Sequence, residues 1–193
     1  MNSAVSNANE RVCIIGAGSS GLVTAKALLA RGIAFDVFEK GSNLGGMWRY
    51  ENDNGVSSAD RSLHIDTSRK SLQYPDFPIP ESMPDFLSHA QVLAYLEAYA
   101  EHFRLRERIR FRTEVMQVEP AEGGGWNVTP KGGEQRHYRA VIVANGHLWA
   151  PRMASFPGSF DGEQVHSHHY RTATPFEDRN VLVIGIGNSA VDI

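Results

Sequence analysis

The chain reads as an α/β protein: a parallel-sheet domain carrying a β-meander, followed by the start of a second βαβ unit. Three observations predict this. The apolar run Val12-Cys13-Ile14-Ile15 leads into Gly16-Ala17-Gly18-Ser19-Ser20-Gly21. The run Val181-Leu182-Val183-Ile184 leads into Gly185-Ile186-Gly187-Asn188-Ser189-Ala190. Between them lie short alternating segments separated by Gly-Gly turns.

Each element follows from its local pattern. Val12–Ile15 is continuously apolar, as a strand buried on both faces requires. After the glycine loop, Leu22, Ala25 and Leu29 share one helical face, and Gly32 supplies a stop. Phe35 to Glu39 reads as the next strand, completing a βαβ unit. From Gly41 to Pro84 the chain is rich in Gly, Asn, Ser, Asp and Pro and reads as a long ordered loop. A second helix is expected from Ser88. Ser88-x-x-Gln91 is a capping box, and Val92, Leu96, Tyr99 and Phe103 form a helical stripe for the core.

Ile109 to Val118 is expected as one strand. Gly123-Gly124-Gly125 turns into a strand at Trp126 to Thr129, and Lys131-Gly132-Gly133 turns into another at Tyr138 to Ala144. The three make a β-meander. Pro151 to Gly162 reads as a linker, and Val181 to Ile184 as the first strand of the second unit. Only Ser189 to Ile193 of that unit's helix follow, a stretch too short for a stable isolated helix.

The bulk numbers narrow the function classes. The chain has 193 residues, 41% hydrophobic and 21% charged, with a net charge of −3. That charge favours neither nucleic acid nor an anionic membrane. Arg104, Arg106, Arg108, Arg110 and Arg112 form a local basic run. Its first members suit a helix C-terminus, and its last alternate with Ile109 and Phe111 and face solvent from a strand. Cys13 is the only cysteine, which excludes an intrachain disulfide or a redox cysteine pair. Met1 to Glu10 is polar, without the apolar stretch of a secretory signal, and no apolar run is long enough to span a bilayer. A soluble cytoplasmic protein is expected, with no membrane partner.

The glycine loops carry the chemistry. Between an apolar strand and a helix, such a loop lets the backbone approach a pyrophosphate, which then faces the helix N-terminus. Glu39 lies 18 residues after Gly21, at the end of the second strand, where a carboxylate can accept a ribose hydroxyl. It would repel a 2′-phosphate, so this first site suits FAD or NAD over NADP. Gly45-Gly46-Met47-Trp48 supplies a second close backbone approach to the same dinucleotide. The cluster His166, His168 and His169 lacks the spacing of a metal site, and no metal is expected. His168 and His169 are expected at the surface.

The segment between the loops is the most specific. Phe160-x-Gly162, then His166, then Tyr170 and Arg171, resembles the fingerprint of flavin-containing monooxygenases. Baeyer–Villiger monooxygenases carry Trp where this chain has Tyr170. Tyr74-Pro75-Asp76-Phe77-Pro78 and Ala144-Asn145-Gly146-His147 also resemble family segments, and the likeness runs from Arg11 onward. It implies a Rossmann-like FAD-binding domain over residues 11–150, completed by a C-terminal part. Residues 151–193 would be the linker and the start of an NADPH-binding domain.

The resemblance further implies an enzyme akin to dimethylaniline monooxygenase. FAD reduced by NADPH would take up dioxygen, and a C4a-peroxyflavin would pass one oxygen atom to a small nucleophile, at nitrogen or sulfur. Gly16, Gly18, Ser19, Gly21, Glu39, Lys40, Gly45, Gly46, Trp48 and His64 fall to the flavin. Gly185, Gly187, Asn188 and Ser189 fall to NADPH, and His166 to an interdomain hinge. Asp66 and Asn145 fall to the catalytic centre. Family members often carry Asn at the position of Asp66. A carboxylate there cannot donate as an amide does, which implies a leak of hydrogen peroxide. With its second cofactor site unfinished, the chain alone is expected to be a fragment without full turnover. Baeyer–Villiger oxygenation and a non-catalytic FAD-binding remnant remain as alternatives. No pattern in the sequence selects a substrate or an oligomeric state.

Overall fold

A computed structural model describes residues 10–193. The polar segment 1–9, on which the reading of the N-terminus partly rests, lies outside the described residues. Contacts divide the chain into two compact units, each assembled from two stretches. One comprises the described part of Met1–Gly46 together with Leu96–Gly146; the other comprises Met47–Tyr95 and His147–Ile193.

The first unit holds both sheets. Strands β1 (Val12–Ile15), β2 (Phe35–Phe38), β3 (Ile109–Arg110) and β7 (Ala140–Val143) form a parallel sheet in the order β3-β2-β1-β7. β1 is central. Val12 pairs with Phe35 on one side and with Ala140 on the other, which is why its residues read as unbroken apolar sequence. Helix α1 (Ser19–Ala30) joins β1 to β2. It ends where Gly32, at φ +66°, and Ile33 donate to the carbonyls of Leu29 and Leu28, as the glycine predicts.

The second sheet is an antiparallel meander of β4 (Val115–Pro120), β5 (Trp126–Pro130) and β6 (Arg136–Tyr138). Cys13, Phe38, Val128 and Tyr138 form the buried cluster between the two sheets, and burial pushes the Cys13 thiol up to about 12. Asp36 on β2 also sits here. It accepts from Arg11 at 2.9 and 3.1 Å and from the Tyr138 hydroxyl at 3.0 Å. Burial raises its carboxyl, but these partners outweigh burial and hold it below the usual carboxylate range.

Three expectations for this unit are corrected. Ile109 to Val118 is two strands, because the chain turns between them at Arg112, φ +51°. β3 joins the parallel sheet and β4 the meander. Tyr138 to Ala144 likewise divides, β6 closing the meander and β7 pairing with β1. Of the arginine run, Arg110 is exposed on β3 as expected, but Arg112 lies in the turn and not on a strand. Arg104, at φ +51°, caps α3 (His89–His102), with Leu105 N–H reaching back to the carbonyl of Ala100 at 2.8 Å. The guanidinium groups of Arg106, Arg108 and Arg110 lie over the rings of Phe111, Phe35 and Phe38.

In the second unit the chain has little regular structure. The capping box forms as predicted: Ser88 N–H donates to Gln91 Oε1 at 3.0 Å, and Gln91 N–H donates to Ser88 Oγ at 3.4 Å. A short helix α2 (Arg69–Leu72) interrupts the long loop. Val181 to Ile184 does not form the expected strand: no described strand pairs with it, and its side chains are exposed. Asn188–Asp192 nevertheless forms one helical turn, α4. No described helix is long and apolar enough to cross a membrane.

Candidate functional site

The first glycine loop begins where β1 ends. Gly16 adopts φ +103° and donates its N–H to the carbonyl of Phe38 at 2.8 Å. A Cβ on Gly16 would lie 2.4 Å from the carbonyl oxygen of Ala144, and one on Gly21 would lie 1.9 Å from that of Gly16. Gly18 is the N-cap of α1. No side chain caps the helix and no acidic residue occupies its first turn, where Ser19 sits. The partial positive charge of such a helix start attracts anions.

The glycine pair meets this loop backbone to backbone. Gly45 N–H donates to the carbonyl of Ala17 at 3.0 Å. A Cβ on Gly46, at φ +56°, would stand 3.1 Å from Gly18 Cα, and one on Gly18 would stand 3.6 Å from Gly46 Cα. The Gly18 spacing is ordinary van der Waals contact, so the approach depends chiefly on Gly46, whose Cβ would be both crowded and in the left-handed region. The result is a backbone-lined cradle at a helix start, which fits the diphosphate of a dinucleotide such as FAD.

Glu39 holds the cradle together. It is 5% exposed, and its two carboxylate oxygens accept the N–H groups of Ala17 and Gly41 at 2.8 Å each. Each oxygen retains a further acceptor position. The sequence offered Glu39 only as a ribose acceptor; its bonds to the loop backbone had no local signature. Lys40 turns to Glu114 at 3.0 Å, and Lys131 also faces that carboxylate, at 3.5 Å. Asn145 follows β7, with its Cα 3.3 Å from the position of a Gly16 Cβ, so its backbone flanks the first loop.

The second unit holds the other sequence-selected residues. Trp48 ends the half-buried turn Gly46–Trp48. His64 is exposed and forms an antiparallel bridge with Ser88. Asp66 is exposed and accepts from the Asn188 side chain, so the second glycine loop meets the 60–66 segment. Gly185 is at φ +144°, Gly187 is the N-cap of α4, and Ser189 lies on α4, exposed.

The fingerprint forms a compact turn. The Phe160 ring lies where a Cβ on Gly162 would stand, 2.5 Å from Cζ, which accounts for the Phe-x-Gly pairing. His166 caps the turn Ser167–His169 by accepting the His168 N–H on Nδ1 at 3.0 Å. Tyr170 is buried and stacks on Phe176, with ring centres 5.9 Å apart. His168 is buried, contrary to the surface position expected of it, and burial pushes its imidazole below the ordinary value. His169 is exposed as expected. A cavity of about 680 Å³ opens here, lined in part by Met153, His166, His169, Tyr170, Arg171 and Phe176. No group of three or more metal-ligating side chains occurs among the described residues.

Residues 9–193 match the family described as FMO-like, flavin-binding monooxygenase-like. The chain belongs to this family. Among its relatives, the flavin-containing monooxygenase FMO GS-OX3 of Arabidopsis thaliana is 38% identical over 96% of this chain and 46% of that protein. The structure of S-allyl-L-cysteine S-oxygenase from Allium sativum superposes with a TM-score of 0.87 at 35% identity, covering 94% of this chain and 47% of that one. The OTEMO complex with FAD and NADP gives a TM-score of 0.67 at 29% identity, over 85% of this chain and 31% of that one. The chain spans about half the length of the first two. Its fold is the Rossmann-like α/β fold of FAD-dependent monooxygenases.

Several residues that shape the site escaped the sequence reading. Ser57, Asn52, Asn54 and Asp60 are buried polar groups in the long loop. Asn52 and Asn54 accept N–H groups two residues on, and Asp60 does the same for Ser62. Asn and Asp in a glycine-containing loop are the available signal for such turns. Tyr95 accepts the Tyr74 N–H and donates to the Phe77 carbonyl, each at 2.7 Å, fixing the Tyr-Pro-Asp-Phe-Pro turn. No local pattern announces that pairing.

Proposed function

We propose that this protein binds FAD in the glycine cradle and serves NADPH-dependent oxygenation of a small nucleophile at nitrogen or sulfur. The observation that carries the reading is the meeting of Gly18 and Gly46 at the uncapped start of α1, above the buried carboxylate of Glu39. The N–H groups of the first turn of α1 hold the diphosphate, and Gly16, Gly18, Gly45 and Gly46 keep side chains out of its path. Glu39 fixes the loop through Ala17 and Gly41 and uses its remaining acceptor positions for ribose hydroxyls. When bound, FAD supplies the redox chemistry that activates dioxygen with electrons from NADPH.

Gly185, Gly187, Asn188 and Ser189 belong to the NADPH side. Tyr170 in place of Trp favours nitrogen or sulfur oxygenation over Baeyer–Villiger chemistry. Asp66 presents a carboxylate where an amide would donate, and this favours loss of reducing equivalents to hydrogen peroxide. The test follows NADPH oxidation and oxygen uptake by the FAD-loaded complete protein, the 193-residue chain alone being expected to lack full turnover, with a tertiary amine, a thioether and a cyclic ketone. N-oxide or S-oxide products are expected. A lactone from the ketone would overturn the substrate class. FAD binding with no NADPH oxidation would favour the non-catalytic reading. Asp66→Asn is expected to raise product formed per NADPH consumed, and an unchanged ratio would remove Asp66 from that role.

A further inference from the structure

Arg171 closes the fingerprint, yet among the described residues no carboxylate pairs with it. Its Nη1 donates to the carbonyls of His168 at 2.7 Å and Tyr170 at 2.9 Å, and its Nη2 donates to the carbonyl of Ser57 at 2.8 Å. The Arg61 N–H donates back to the Arg171 carbonyl at 2.9 Å. Two of these bonds lie within the fingerprint turn, and two cross to the 57–61 segment. Ser57 extends the link, because its hydroxyl faces the carbonyls of Met47 at 3.0 Å and Arg49 at 3.1 Å. Met47 follows the glycine pair directly in the chain.

A half-buried cation with only carbonyl partners loses hydration and recovers it through charge-assisted bonds of fixed direction. Three acceptors reached from one planar fork define the relative position of two segments. An ammonium on a flexible stem holds the same acceptors less rigidly.

We propose that Arg171 is a positioning residue that locks the fingerprint turn, residues 166–171, onto the loop that follows the glycine pair, so that a ligand ordering Gly45 and Gly46 also orders the fingerprint. The lock stands on geometry alone; its coupling to a ligand rests on the FAD reading above. In physical terms, the loop and the turn share one ordering cost, and a ligand that bears it at one end relieves it at the other.

The test is amide hydrogen exchange on the 193-residue chain, with and without FAD, for the native sequence, Arg171→Met and Arg171→Lys. Without FAD, Arg171→Met is expected to speed exchange at the Arg61 amide and across 166–171 by at least tenfold, with Arg171→Lys between it and the native chain. Amides of α1, β1 and β2 serve as the folding control and keep their native rates. Unchanged exchange at Arg61 would overturn the lock whether or not FAD binds. If Arg171→Met disturbs the control amides, Arg171→Lys decides by the same criterion. With FAD, the native chain is expected to slow at 45–61 and 166–171 together, and Arg171→Met at 45–61 alone. Protection of 166–171 persisting in Arg171→Met would overturn the coupling. No protection of 45–61 in the native chain would instead refute the FAD reading and leave the lock to the unliganded comparison.

Discussion

Glu39→Gln separates two roles that the sequence could not. The carboxylate of Glu39 accepts two backbone N–H groups at 2.8 Å, one on each oxygen, in a position 5% exposed. The amide of Gln keeps one acceptor oxygen. Its NH2 then faces the remaining N–H, donor against donor. Leaving one buried donor unsatisfied costs about 1–3 kcal/mol, and the surviving bond loses its charge assistance. A loss of about 2–4 kcal/mol in folding stability follows, a large fraction of what a domain of this kind possesses. The assay is urea unfolding of the FAD-free protein at neutral pH. If Glu39 served only the ribose, Glu39→Gln would weaken FAD and leave FAD-free stability within about 0.5 kcal/mol, as surface changes do. That result would refute the cradle argument.

Three further outcomes follow from the geometry. Gly46→Ala places a Cβ 3.1 Å from Gly18 Cα at φ +56°; it is expected to cost about 1 kcal/mol of stability and to weaken FAD at least tenfold in a titration, and unchanged affinity would argue against the cradle. Asp36→Asn should cost about 3 kcal/mol at neutral pH, because Arg11 loses its buried counter-ion. The Asp36 carboxyl is held below its ordinary value, so its contribution is complete above about pH 4 and fades as pH falls through the lowered value. Unfolding curves of native and Asp36→Asn protein should therefore converge below pH 4, and a constant gap would contradict the linkage. Tyr95→Phe removes the bonds to Tyr74 and Phe77; a loss of about 2 kcal/mol is expected, with faster proteolysis at residues 74–77.

What the sequence disclosed was local. The β1 run, the glycine loop, the stop at Gly32 and the capping box at Ser88 each rest on residues within one turn or one strand of each other. Each is found where its pattern places it. What failed was non-local. Ile109 to Val118 alternates without a visible break, and the turn at Arg112 uses a left-handed residue that is neither Gly nor Asn. Tyr138 to Ala144 reads as one strand, but Tyr138 belongs to the meander while Ala140 belongs beside β1. Pairing partners a hundred residues apart leave no trace in a short window. Val181 to Ile184 shows the converse. Its apolar pattern is that of a buried parallel strand, but pattern alone supplies no neighbour to pair with.

The candidate site divides in the same way. Glycine positions were legible because close backbone approach admits one residue type. The partners of Glu39, Arg171 and Tyr95 were not, because backbone N–H and C=O groups carry no sequence identity. The fingerprint was recognisable as a pattern before its physical content was visible. Phe160 covers Gly162, His166 caps the following turn, and Arg171 ties that turn to Ser57.

On the reading proposed above, the Gly16–Gly21 loop and the Gly45–Gly46 pair together hold the diphosphate and adenosine of FAD. Calorimetric titration of the chain with FAD and, separately, with FMN tests it most directly. One FAD bound per chain is expected, with binding of FMN at least a hundredfold weaker, because FMN lacks the diphosphate–adenosine half that the cradle fits. Equal binding of the two flavins, or no binding of FAD at millimolar concentration, would contradict it.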